Sequence, residues 1–231
     1  MSNFMSAWAR WMRCCLAALV LLVAGSGPLS PAWAAGDPAQ GPGGPILVIT
    51  SGTSNFGSYY AEILRTEGFN AFSVADIGTV SASTLAAYDV VLLSDITLTG
   101  AQASVLINWV NAGGNLIAMA PDGQLADLMG ITPAGTTMSN GYVRVDTTSA
   151  AGNGIVGQTM QFHGTADLFT LSGATALGTL YSGTATATAF PALTLHAAGS
   201  GLAAAFAYDL ASSVVYTRQG NPAWAAQERD G

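Results

Sequence analysis

Ser51, His163 and Asp167 supply the three side-chain types of a hydrolytic triad, in which a base-activated hydroxyl attacks an acyl carbon. No Gly-x-Ser-x-Gly elbow surrounds any serine in the chain. A triad is therefore not the expectation, and His163, inside Gln161-Phe162-His163-Gly164-Thr165-Ala166-Asp167, reads as a loop histidine with its hydrogen bonds met. His163 and His196 with Asp95, Asp122 or Asp167 are the ligand types for zinc or calcium. They lack His-x-x-x-His or Asp-x-Asp spacing, so neither a metal nor a cofactor is expected.

Asp95 and Asp122 are the best-placed acids, because each follows an apolar run that reads as a buried strand. Their plain role is to cap the loops that follow; their functional role would be to touch a ligand. Ser51-Gly52-Thr53-Ser54-Asn55-Phe56-Gly57 has the small polar residues of a ligand loop. It lacks both the Gly-Lys-Ser/Thr ending of a phosphate loop and Gly-x-Gly-x-x-Gly spacing. Helix capping with a tight turn is the first reading of it, and binding of a neutral polar ligand such as a sugar is the alternative. The candidate contacts are thus Ser51, Ser54, Asn55, Asp95, Asp122 and His163, with no catalytic residue among them. Tyr59, Tyr60, Trp109 and Trp224 are read as core or partner-facing groups rather than sugar platforms.

The elements that would position these residues follow from pattern. Ile46 to Thr50 is an apolar, β-branched run that breaks into the polar loop, the mark of a buried parallel strand. Ligands of open α/β sheets sit at such carboxyl ends. Phe56, Tyr60, Ile63 and Leu64 recur at helical spacing, with Ser54 or Asn55 available as a cap and Gly68 as the stop. Strands are expected at Phe69 to Val74, Tyr88 to Leu93 and Leu116 to Met119. A helical turn capped by Ser81 and a helix opened by the Thr99–Gln102 capping box separate them.

Beyond Pro121-Asp122-Gly123 the texture changes. A short helix over Gly123 to Met129 precedes β-like runs at Tyr142 to Val145, Thr159 to Phe162, Ala192 to Leu195, Ala203 to Ala207 and Val214 to Thr217. The Thr-Ala alternation of Thr184 to Ala189 reads as a surface hairpin or loop.

Composition bounds the surroundings. Arg10 and Arg13, an apolar run from Cys14 to Ala24 and the small-x-small Ala32-Trp33-Ala34 predict an export signal over 1–34, cleaved before Ala35. The run is about 11 residues, short of the roughly 20 that span a bilayer. Residues 35–44 read as a flexible leader. Both cysteines fall inside the signal, so the remainder has no disulfide, thiol nucleophile or Cys-ligated zinc. It contains no lysine, and four arginines face thirteen acids for a net charge of −9. Such a surface repels phosphate backbones and excludes nucleic acid as a partner.

Trp109-Val110-Asn111-Ala112-Gly113-Gly114-Asn115-Leu116-Ile117-Ala118-Met119 resembles the class I glutamine amidotransferase-like (flavodoxin-like) superfamily, where a helix ending in Gly-Gly leads into the strand before the nucleophile. Pro191 through Tyr208-Asp209-Leu210 resembles the closing strands of its non-catalytic members, the ThuA-like proteins and the trimerisation domain of some β-galactosidases. Similar modules stand at the N-terminus of large secreted actinobacterial proteins. The resemblance implies an α/β domain over 45–220: a flavodoxin-like, mostly parallel sheet flanked by helices, with antiparallel β additions in the C-terminal half. It also places Ala120-Pro121-Asp122-Gly123 where the family carries its cysteine, and the activating His-x-Glu pair is missing. The expectation is a secreted, non-catalytic accessory or interaction module. Residues 221–231 would lead into downstream domains of the same polypeptide. The alternative is a secreted hydrolase of glycans or small amides using Asp95, Asp122 and His163.

Overall fold

The computed structural model describes residue 41 and residues 43–219. The predicted export signal and the 221–231 tail lie outside the described residues. At the end of the leader, the Gly43 N–H donates to the Phe72 carbonyl at 2.7 Å.

The first half follows the apolar runs. Strand β1 (Ile46–Thr50) is followed by helix α1 (Tyr59–Thr66) and β2 (Phe72–Asp76). Ser81 and Thr84 form a capping box on the single turn α2 (Ala82–Leu85), which leads to β3 (Val90–Leu93). Thr99 and Gln102 cap α3 (Gly100–Asn111) in the same reciprocal way, and β4 (Asn115–Met119) follows. Gly114 is required between them, because a Cβ there would collide with the Trp109 ring.

The second half is β-rich. Strands β5 (Ile131–Ser139), β6 (Tyr142–Val145), β7 (Met160–Gln161), β8 (Thr165–Leu171), β9 (Thr175–Gly183), β10 (Thr186–Ala198) and β11 (Gly201–Phe206) precede a final helix, α4 (Leu210–Gln219). Nine strands form one sheet in the order β2-β1-β3-β4-β11-β10-β9-β6-β7, while β5 and β8 pair separately. From β2 to β11 neighbours run parallel, with Val48 facing Val74 on one side and Leu92 on the other. From β11 to β7 they run antiparallel.

This overturns the expected flavodoxin-like, mostly parallel, helix-flanked sheet: the molecule is mostly β, with a large mixed sheet and few helices. The Thr/Ala-rich stretches join into long hairpins rather than short additions. Thr186–Thr188, part of the low-complexity run, opens the 13-residue β10. Val214 to Thr217, expected as a strand, lies inside α4, because the Asp209 carboxylate accepts the Ala211 N–H at 3.1 Å and starts a helix that outweighs the β-branched residues. The expected helix over Gly123 to Met129 shrinks to a 3-10 turn at Gly123–Leu125.

Two cores sit on opposite faces of the parallel strands. Leu47, Ile49, Val91, Leu93 and Leu116 pack with Leu106 and Val110 of α3. Val48, Phe72 and Met119 pack with Tyr60 and Ala61 of α1 and Ala211 of α4. Alternate residues of one strand thus serve both faces. Each fully buried aliphatic side chain contributes about 1.5–3 kcal/mol. Among the described residues no helix is long and apolar enough to cross a membrane.

Candidate functional site

Parallel pairing brings the ends of β1, β3, β4 and β11 to one edge, and the loops after them carry the polar side chains. After β1 the loop is tightly bonded: Ser54 N–H donates to the Ser51 carbonyl at 3.0 Å, and Gly57 N–H to Ser54 Oγ at 3.0 Å. Ser54 therefore braces a turn rather than capping α1, whose preceding residue Ser58 makes no side-chain cap. Asp76, at the end of β2, holds the loop from the other side by accepting the Gly52 N–H at 3.1 Å.

The loop borders a cavity of about 290 Å³ lined by Thr53, Ser54, Asn55, Phe56, Asp95, His163, Gly164, Thr165, Asp209 and Ser212. Four of the six predicted contacts, Ser54, Asn55, Asp95 and His163, meet there. The other two do not. Ser51 bonds to Thr53 Oγ1 at 2.9 Å and is not part of the lining. Asp122 borders a second cavity of about 320 Å³ with Pro121, Ile131, Pro133, Asp167 and Phe169. Ser51, His163 and Asp167 do not share one cavity: Asp167 lines the second, and Ser51 lines neither.

His163 reaches the cavity through α4, with its backbone N–H donating to Ser213 Oγ at 3.1 Å. Asp209, which the sequence patterns did not single out, is held from two sides. The Tyr60 hydroxyl of α1 and the Ala211 N–H both donate to its Oδ1, and Tyr60 Oη in turn accepts from the Ala211 N–H at 3.1 Å. One buried phenol thus joins α1, the end of β11 and α4. The available signal was Asp209 itself, an acid closing an apolar strand as Asp95 does.

Electrostatics single out Asp95. Its side chain is exposed at the cavity rim, yet partial desolvation there, then the charges of Asp209 and Asp167, push its carboxyl up to about 6. Burial also raises Asp209, against the Tyr60 hydroxyl and the Ala211 and Ser212 N–H groups. Burial foremost, then Asp209, pushes the Tyr60 phenol far above its ordinary range, so it remains a hydrogen-bond donor. Asp122 behaves otherwise. Burial alone would raise it, but the Gln124 and Leu98 N–H groups at 2.9 and 3.0 Å, with the Gln124 amide, hold it below the usual range. Among the described residues no three His, Cys, Asp or Glu side chains gather as a metal site.

Ala120 follows β4 at φ +40°, a left-handed conformation uncommon for a residue with a Cβ. Its N–H donates to the Phe206 carbonyl at 2.9 Å, which pins the bend. The strand thus ends in a strained turn whose side chain is a methyl group.

No family model matches the sequence, and no curated protein matches it. Solved structures do share the fold. The β-galactosidase from Bacillus circulans sp. alkalophilus aligns at 15% identity and TM-score 0.57, over 77% of this chain and 31% of its own. An exo-β-1,4-mannosidase from Opitutaceae bacterium strain TAV5 aligns at 14% identity and TM-score 0.58, over 79% and 34%. A cytoplasmic protein from Salmonella typhimurium LT2 aligns at 13% identity and TM-score 0.56, over 71% and 87%. At these identities the likeness is one of fold. The chain spans about a third of the length of the glycosidases it matches.

Proposed function

We propose that the chain is a non-catalytic accessory module of an exported, glycan-acting protein, and that the cavity at the strand ends takes a small polar ligand of the sugar class. The observation that carries this reading is the meeting of Thr53, Ser54, Asn55, Asp95, His163 and Asp209 around one cavity on the carboxyl edge. Hydroxyl, amide and carboxylate groups converging on so small a space suit a ligand with many hydroxyls. The turn after β4 offers only the Ala120 methyl, which cannot act as a nucleophile. The fold shared with a β-galactosidase and a mannosidase supports the link to glycans, and it agrees with the resemblance to a β-galactosidase trimerisation domain.

A second reading, a hydrolase of glycans or small amides, draws on one observation. Asp95 and Asp209 are paired acids with raised pKa values, the pattern that general acid–base chemistry uses. Isothermal titration of the purified chain with galactose, mannose and glucose, beside a nitrophenyl-glycoside assay, separates the two. The accessory reading expects saturable binding without turnover, weakened by Asn55→Ala. Turnover that Asp95→Asn removes would establish the hydrolase instead.

A further inference from the structure

We infer that the ligand of this cavity carries an ammonium group, as an amino sugar or a similar polyhydroxylated amine does. The inference rests on the ligand-binding reading above and narrows its chemistry.

The cavity, at about 290 Å³, sits at the small end of the roughly 300–1,000 Å³ of small-molecule sites, so it suits one ring rather than a chain of them. Among the described residues two carboxyl groups and the His163 imidazole line it, and no arginine does. The described cations are elsewhere. The Arg65 guanidinium lies 5.4 Å from the Phe72 ring centroid, Arg144 Nε donates to the Gly157 carbonyl at 3.0 Å, and Arg218 stands in the last turn of α4. The chain has no lysine to supply another.

The two acids also differ in how far they are satisfied. Asp209 has Tyr60 and the first N–H groups of α4, whereas among the described residues no donor hydrogen-bonds the Asp95 carboxylate. Like charges facing one cavity repel, and the raised Asp95 carboxyl records that strain alongside its burial. A neutral sugar would leave the repulsion in place. An ammonium relieves it and replaces water at the exposed Asp95 carboxylate with a charged donor. A divalent metal would relieve it too, but needs more ligands than two carboxylates, and no group of three is present among the described residues. The hydroxyls of Thr53, Ser54 and Ser212, with the Asn55 amide, then remain for the ring hydroxyls.

The test compares three probes of one ring: glucosamine, glucose and N-acetylglucosamine, titrated at pH 7.5 into the unmodified chain. Glucosamine is expected to bind about tenfold tighter than either neutral sugar, the worth of one partly desolvated charge pair. Asp95→Asn should cost glucosamine about tenfold and glucose less. The preference should also shrink as pH falls through about 6, where Asp95 takes a proton. Asp209, Asp167, Tyr60 and His163 face the same region, so the titration is repeated with His163→Gln to separate the histidine. Equal binding of all three probes, or a preference for a neutral one, overturns the ammonium and leaves the sugar-binding reading intact. Failure of all three to bind overturns both.

Discussion

Asp95 and Asp122 close the neighbouring parallel strands β3 and β4, and the chain treats them in opposite ways. Asp122 accepts two backbone N–H groups and a side-chain amide, which hold its carboxyl below the ordinary range. It ties the loop after β3 to the turn after β4, and Gln124 strengthens the tie by donating to the Leu98 carbonyl at 2.6 Å. Among the described residues Asp95 has no such donors. It stands at a cavity rim with Asp209 nearby, and its carboxyl is pushed up to about 6. Position at a strand end is thus shared by an acid that the fold has satisfied and one that it has not. What separates them is whether the backbone has already met the carboxylate's need for donors.

The largest effect on this contrast comes from the group that holds Asp209 in place. Tyr60→Phe removes the hydroxyl that joins α1, Asp209 and α4. The half-buried Asp209 then loses a charge-assisted hydrogen bond, and chemical denaturation should show a loss of about 2 kcal/mol. The effect should concentrate at the cavity, with the α4 amides exchanging faster while those of β3 and β4 change little. Uniform loss across the sheet would mean that Tyr60 serves the core alone.

The two acids themselves give smaller effects of opposite sign. Asp122→Asn weakens a cap and should cost about 1 kcal/mol at pH 7. That contribution is present above the unfolded carboxyl range and fades as pH falls through the lowered folded value. Asp95→Asn should instead stabilise the fold at pH 7 by about 0.5 kcal/mol, a figure discounted for the solvent at its edge. Because its folded pKa is raised, the folded state binds the proton more tightly, so the unmodified chain loses stability as pH rises from about 4 through 6. Asp95→Asn should remove that slope. Urea melts of the three proteins at pH 4, 5, 6 and 7 check both signs. A slope that persists in Asp95→Asn would assign it to Asp209 or Asp167.

The same contrast explains what could be read from the sequence. Strands β1, β3 and β4, the cap at Ser81 and the capping box at Thr99 were legible because dense apolar runs and short-range hydrogen-bond patterns act locally. Ser54, Asn55, Asp95 and His163 were legible as polar residues following such runs. Asp122 looked the same in sequence, since its donors, Leu98 and Gln124, arrive only with the fold. The antiparallel half was legible in part: β6 matches its expected run, and β7, β10 and β11 overlap theirs, whereas β5, β8 and β9 went unseen. Alternating Thr and Ala give the start of β10 little hydrophobic contrast, and Pro133 and Pro191 sit inside strands where each falls at a register shift. Asp209 stayed hidden because the β-branched run after it disguises a helix.

The smallest effect tests the turn between the two acids. Ala120 holds φ +40°, where a Cβ crowds the backbone at a cost of about 1–2 kcal/mol, and the N–H bond to Phe206 keeps it there. Glycine adopts that conformation freely but loses about 0.5–1 kcal/mol of chain entropy on folding. Ala120→Gly should therefore stabilise by about 0.5 kcal/mol, read as a small rise in the urea midpoint with an unchanged slope. The turn leads straight into Pro121 and Asp122. Relief of its strain should leave the pH dependence set by Asp95 untouched. If Ala120→Gly alters that dependence, the bend after β4 also sets the field at the end of β3, and the two acids answer to one local geometry.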